Sequence, residues 1–89
     1  MAQIVATIKV YPKTVEESLE KLRDSIRKAL PENASVFKFE EEPIAFGLVI
    51  LICHIVMPET DAGGIDALES RLRKLEGIGE LQMVMVRRV

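Results

Sequence analysis

A lone histidine and a lone cysteine stand side by side, Cys53-His54, inside an apolar run, and nucleophilic, redox or metal chemistry would have to start from them. A nucleophile needs a base oriented by a third group, and a metal site needs several ligands at set spacings. No carboxylate lies near His54 in sequence, and one cysteine gives neither an internal disulfide nor a multi-thiolate site. His54 therefore reads as a packed or surface residue of a strand, and Cys53 as a core thiol. Gly63-Gly64 lacks the lysine and hydroxyl of a phosphate loop and reads as freedom at a helix entry. Glu40-Glu41-Glu42 carries enough charge to hold a cation, but neighbouring strand residues point to opposite faces, so the three do not converge. They read as a solvated charge run. Asn33-Ala34-Ser35 has the form of a glycosylation acceptor, a chance match where no secretory signal is visible. Two features stay open on residue type alone. Arg87-Arg88 is either a solubilising terminus or a functional basic pair, and Phe46 beside Gly47 is either a core plug or an exposed contact.

The elements that must position these residues follow from periodicity. Gln3 to Val10 places Ile4, Ala6, Ile8 and Val10 on one parity, the pattern of a strand with one buried face, and Pro12 ends it. Thr14 and Glu17 fit a capping box, after which Val15, Leu19, Leu22, Ile26 and Leu30 recur at three- and four-residue steps until Pro31 and Asn33. Ser35 to Glu41 reads as a short strand with Phe37 and Phe39 on one side. A turn at Pro43 and Gly47 leads into the apolar strand Leu48 to Met57. After a loop holding Pro58, Asp61, Gly63 and Gly64, the residues Ile65, Leu68, Leu72 and Leu75 mark a second helix, ended by Gly77, and Leu81 to Val89 closes the chain as a strand.

This order predicts a ferredoxin-like α/β sandwich of βαββαβ topology. Its antiparallel four-stranded sheet has the order 4-1-3-2, with both helices on one face. Residues 1–89 read as one domain with one core. The strand Leu48 to Met57 is apolar on both parities apart from His54, so the face without helices is expected either to be sticky or to be screened by long neighbouring side chains.

Composition narrows the function. Hydrophobic residues at 48% and charged residues at 29% give a globular balance. A formal charge of -2 provides no cationic field for a phosphate backbone, so direct nucleic-acid binding is not expected. The run from Ile44 to Met57 is broken by Gly47 and His54 and falls short of the ~20 residues a membrane helix needs. The lone thiol and the lack of a secretory signal make the cytoplasm the simplest compartment. Tyr11-Pro12-Lys13-Thr14 has no Cys-x-x-Cys for metal transfer. The aromatics Tyr11, Phe37, Phe39 and Phe46 do not form a base-stacking set, and no arginine follows the first strand as in acylphosphatases.

Pro43-Ile44-Ala45-Phe46-Gly47, running straight into an apolar strand, resembles the Pro-Ile-x-Phe-Gly segment of the elongation factor 1-beta guanine-nucleotide exchange domain family, in its short archaeal form. The resemblance extends through Val5-Ala6-Thr7-Ile8-Lys9-Val10, Leu75-Glu76-Gly77-Ile78 and Val86-Arg87-Arg88-Val89, and so covers essentially the whole chain. It implies an exchange factor, not an enzyme and without a cofactor of its own, that binds elongation factor 1-alpha in its GDP-bound and nucleotide-free forms. It also implies that Arg88, at the position of a penultimate lysine in the related eukaryotic domain, reaches the partner's magnesium site with Arg87 in support. Phe46, with Gly47 permitting its turn, is implied to dock on the partner's second domain. The alternative reading is a ferredoxin-like regulatory domain that binds a small ligand and dimerises through its sheet.

Overall fold

The computed structural model describes residues 2–59 and 63–89. The chain runs β1 (Gln3–Pro12), α1 (Leu19–Ala29), β2 (Ser35–Pro43), β3 (Val49–Pro58), α2 (Gly63–Arg73) and β4 (Ile78–Arg88). The strands form one antiparallel sheet in the order β2-β3-β1-β4, which is the expected 4-1-3-2 read from the other edge. This is the predicted ferredoxin-like βαββαβ arrangement.

The core lies between the sheet and the two helices. The even-numbered residues of β1, Ile4, Ala6, Ile8 and Val10, meet Leu51, Cys53, Ile55 and Met57 of β3, Leu81 of β4, Leu22 and Ile26 of α1, and Leu68 and Leu72 of α2. Burying an aliphatic side chain of this size contributes about 1.5–3 kcal/mol, so these positions fix which parity of each strand turns inward. Burial pushes the Cys53 thiol up to about 12. At pH 8 native Cys53 is therefore expected to react with a disulfide reagent about 1000-fold more slowly than in the unfolded chain. Absorbance of the released thiolate, with and without guanidinium, measures this; comparable rates would place the thiol outside the core.

Two local expectations are corrected. The first helix does not begin at Thr14. Thr14 to Glu17 forms a turn in which the Glu17 N–H donates to the Thr14 carbonyl at 3.3 Å and the Glu16 N–H donates to Thr14 Oγ1, also at 3.3 Å. Ser18 is the cap of α1, its Oγ accepting from the Lys21 N–H at 3.3 Å. Val15 is 60% exposed and gives the helix nothing to bury, whereas Leu22 and Ile26 insert into the core. At the other end Leu30 is extended, as the following Pro31 demands. The second correction concerns Phe37 and Phe39. A register shift between Val36 and Lys38 makes Phe37 the extra residue of a bulge and leaves it 67% exposed. Phe39, opposite Cys53, packs on the core with the Arg27 guanidinium 5.0 Å from its ring centre.

The second helix begins at Gly63, and Leu75 packs on the core just beyond its end. Gly77 then reverses the chain at φ 85°, a backbone that side chains rarely adopt. Its carbonyl accepts from the Lys13 N–H at 2.7 Å, tying the α2–β4 connection to the end of β1. Asp61, expected in the loop before α2, lies outside the described residues.

The helix-free face of the sheet is screened rather than sticky over β3. Lys9 of β1 and Glu42 of β2 reach toward each other across β3, with Nζ and Oε1 3.7 Å apart, and Ile50 beneath them is buried, as is Val5. The three glutamates of β2 separate as their parity requires. Glu40 and Glu42 stand on this face, and Glu41 turns to the helix side, where Arg23 donates to it at 2.7 Å. Exposed apolar surface collects instead on the edge strand β4, at Val84, Met85 and Val86.

Candidate partner-binding site

His54 has partners that its sequence neighbours do not reveal. Its Nε2 lies 2.7 Å from Glu40 Oε2 on β2, and its Nδ1 lies 3.0 Å from Thr7 Oγ1 on β1. An ionised carboxylate only accepts, so Nε2 carries the proton and, in the neutral ring, Nδ1 accepts from the Thr7 hydroxyl. Strand pairing brings Glu40, 14 residues away in sequence, beside His54, which stays a part-exposed strand residue. Hydroxyl, imidazole and carboxylate in line are the parts of a nucleophilic relay, yet Thr7 sits mid-strand on a flat face. β3 and β4 flank its backbone on both sides, which leaves its N–H unable to serve as an oxyanion donor. The row joins three strands.

The His54 hydrogen bond first, and the Lys38 charge second, lower the Glu40 carboxyl below 4.5. A lowered carboxylate adds stability above its unfolded value and loses it as the pH falls through its folded one. Glu40→Gln is therefore expected to melt below the wild type near neutral pH, with the gap closing as the pH falls through the lowered value of the Glu40 carboxyl. Thermal melts from pH 7 to pH 3 measure this, and a gap that persists at the acid end would contradict the assignment.

Phe46 stands at the tip of the β2–β3 hairpin and is 98% exposed. The Leu48 N–H donates to the Ala45 carbonyl at 3.1 Å across Phe46 and Gly47, whose φ values are 58° and 77°. Two positive φ values at the central positions of the turn Ala45 to Leu48, inside the five-residue connection between β2 and β3, are the mark of a type I′ turn, a conformation that favours Asn-Gly. A phenylalanine there is strained, and it projects from the protein instead of plugging it. Beside it Ile44 is 44% and Val15 60% exposed, around a cleft of about 100 Å³ lined by Pro12, Leu19, Leu48 and Val49 among others.

Arg88 is the last residue of β4, opposite Ile4. The next N–H, of Val89, donates to the Gln3 carbonyl at 3.0 Å, so the backbone around Arg88 is held in the ladder and is not a loose terminus. Its side chain is 76% exposed and its Nη2 donates to Glu59 Oε1 at 2.6 Å. That hydrogen bond, then the Glu59 charge, raises the guanidinium above its ordinary value, so Arg88 is cationic at any working pH. Arg87 lies opposite Val5 on the helix-free parity, so the two arginines point to opposite faces of the sheet.

The structure does not bring Phe46 and Arg88 together. Phe46 belongs to the end where Pro12 meets Ile78, and Arg88 to the end where Gln3 meets Pro58. The intervening strands span roughly 30 Å, in a molecule 42 Å along its longest axis. An exposed apolar group at one end and an exposed cation at the other fit a flat, extended contact with a macromolecule better than a pocket for a small one.

The strand order and the two helices define a ferredoxin-like α+β module. Among solved structures it is similar to the C-terminal domain of the MgtC protein from Mycobacterium tuberculosis, with a TM-score of 0.65 at 12% identity over 99% of this chain and 88% of that one. It is also similar to the de novo designed protein Foldit4, with a TM-score of 0.62 at 21% identity over 98% and 96%. Those likenesses concern the fold alone. The chain belongs to the EF-1 guanine nucleotide exchange domain family, whose sequence profile matches residues 5–89. It is 37% identical over 89 residues to elongation factor 1-beta of Ignicoccus hospitalis, covering 100% of this chain and 95% of that protein. The corresponding protein of Methanothermobacter thermautotrophicus is 40% identical over 89 residues, covering 100% and 99%. Its function is guanine-nucleotide exchange on elongation factor 1-alpha in translation elongation.

Proposed function

We propose that the chain, acting as one exchange domain in the cytoplasm, opens the nucleotide site of GDP-bound elongation factor 1-alpha through two separate contacts. Phe46, presented by the Gly47 turn, anchors the module on one part of the partner. Arg88, supported by Arg87 from the other face, acts on the charges that hold magnesium and GDP. The observation that carries this reading is the separation of the two exposed groups at opposite ends of a rigid sheet. A metal ion bridging phosphate and protein oxygens is held by negative charge, and a guanidinium brought among those oxygens competes for it and loosens metal and nucleotide together. No bond is made or broken in the protein, so the role is exchange and not enzymatic turnover.

Linkage gives a direct test. If the module binds nucleotide-free elongation factor 1-alpha best, added nucleotide must weaken the complex by the same factor by which the module weakens nucleotide binding. Gel filtration of the two proteins is expected to show a complex without nucleotide that dissolves with excess GDP and magnesium. A complex indifferent to nucleotide, or none in either condition, would reject the exchange reading.

A further inference from the structure

The Arg88 guanidinium is already engaged in the isolated protein. Glu59 follows the last residue of β3, and its N–H donates to the Ala2 carbonyl at 2.9 Å, so its carboxylate hangs from a fixed point beside the start of β1. Arg88 lies across β1 from it and bridges the strand end to reach Glu59 Oε1 at 2.6 Å. The Glu59 side chain is 32% exposed against 76% for Arg88, which makes the acid the anchored half of the pair and the guanidinium the half presented to solvent.

We infer that Glu59 is the counter-ion from which the partner takes Arg88, a positioning residue that sets how readily the guanidinium transfers to the acidic, metal-holding groups of the nucleotide site. The inference rests on the exchange reading above. A carboxylate kept beside an inserted cation cancels part of its charge where that charge acts, so the pair must open for Arg88 to exert its full effect. A solvent-exposed pair of this kind adds little to folding and opens at small cost. Removing the acid therefore speeds exchange and leaves the fold intact.

Glu59→Gln keeps the size of the side chain and removes its charge. Release of a fluorescent GDP analogue from elongation factor 1-alpha, at limiting concentrations of the exchange factor, is expected to rise about twofold to fivefold over the wild type. Glu59→Asp is expected to return it toward the wild-type rate, and all three proteins to melt together. Affinity for nucleotide-free elongation factor 1-alpha is expected to tighten with Glu59→Gln in the wild-type background and not in Arg88→Ala, because Glu59 acts only through Arg88. Unchanged or slower release with Glu59→Gln, or an equal change of affinity in both backgrounds, would overturn the inference while leaving the exchange function standing. A wild type that fails to speed release would overturn the exchange reading itself, and this inference with it.

Discussion

Arg88→Ala is expected to leave the protein folded and able to bind elongation factor 1-alpha, and to lower its acceleration of GDP release about a hundredfold. The backbone of Arg88 sits in the β1–β4 ladder and its side chain is 76% exposed, so truncation at Cβ removes a charge without opening a cavity. On the proposed mechanism the variant lacks the cation that acts on the charges holding magnesium and GDP, an interaction made as nucleotide leaves and not in the encounter. Binding and exchange should therefore separate, with near wild-type complex formation at saturating factor and a release rate close to that of elongation factor 1-alpha alone. Arg88→Lys tests the same point from the other side. A point charge without the planar fork keeps much of the effect if electrostatics carry it, and loses it if bidentate geometry is required. Arg88→Ala with undiminished exchange would remove Arg88 from the mechanism.

Phe46→Asn is expected to move stability and function in opposite directions. Asparagine accepts the left-handed backbone that Phe46 is forced into at φ 58°, so the hairpin should gain on the order of 1 kcal/mol, about 5 °C in melting temperature. A side chain 98% exposed in the free protein gives up no native contact when replaced. If Phe46 is the anchor proposed, the partner loses an aromatic contact whose burial contributes about 1.5–3 kcal/mol, and its affinity for the module should fall roughly tenfold to a hundredfold. Thermal denaturation and a binding titration on the same variant decide it. A variant that melts lower would refute the strain, and one that binds as tightly as the wild type would refute the anchor. Strain held at a hairpin tip is costly to folding, and a contact with the partner supplies a reason for it.

The element order was legible because it rests on local periodicity. Alternation in Gln3 to Val10 and three- and four-residue steps in Leu19 to Leu30 leave little choice of structure, and one covered sheet face then fixes the inward parity. Features set by geometry between elements were not. Thr14 and Ser18 both have the chemistry of a cap, and packing under Leu22 and Ile26 selects Ser18. The bulge at Phe37 depends on how β2 pairs with β3, which no spacing within β2 records. His54 finds Thr7 47 residues away and Glu40 14 residues away, and Arg88 finds Glu59 29 residues away. Contacts of that separation become visible only once the sheet order is known. The two ends of the candidate site came from a family resemblance, since neither a basic pair at a terminus nor a Phe-Gly turn identifies a partner by residue type.

The most direct test of the two-contact exchange mechanism is the rate at which a fluorescent GDP analogue leaves elongation factor 1-alpha, in excess unlabelled nucleotide and magnesium, as this protein is added. The account predicts release that accelerates with the concentration of the protein and saturates once the complex is formed. Release that stays at the rate of elongation factor 1-alpha alone, with folded protein present in excess, would contradict it.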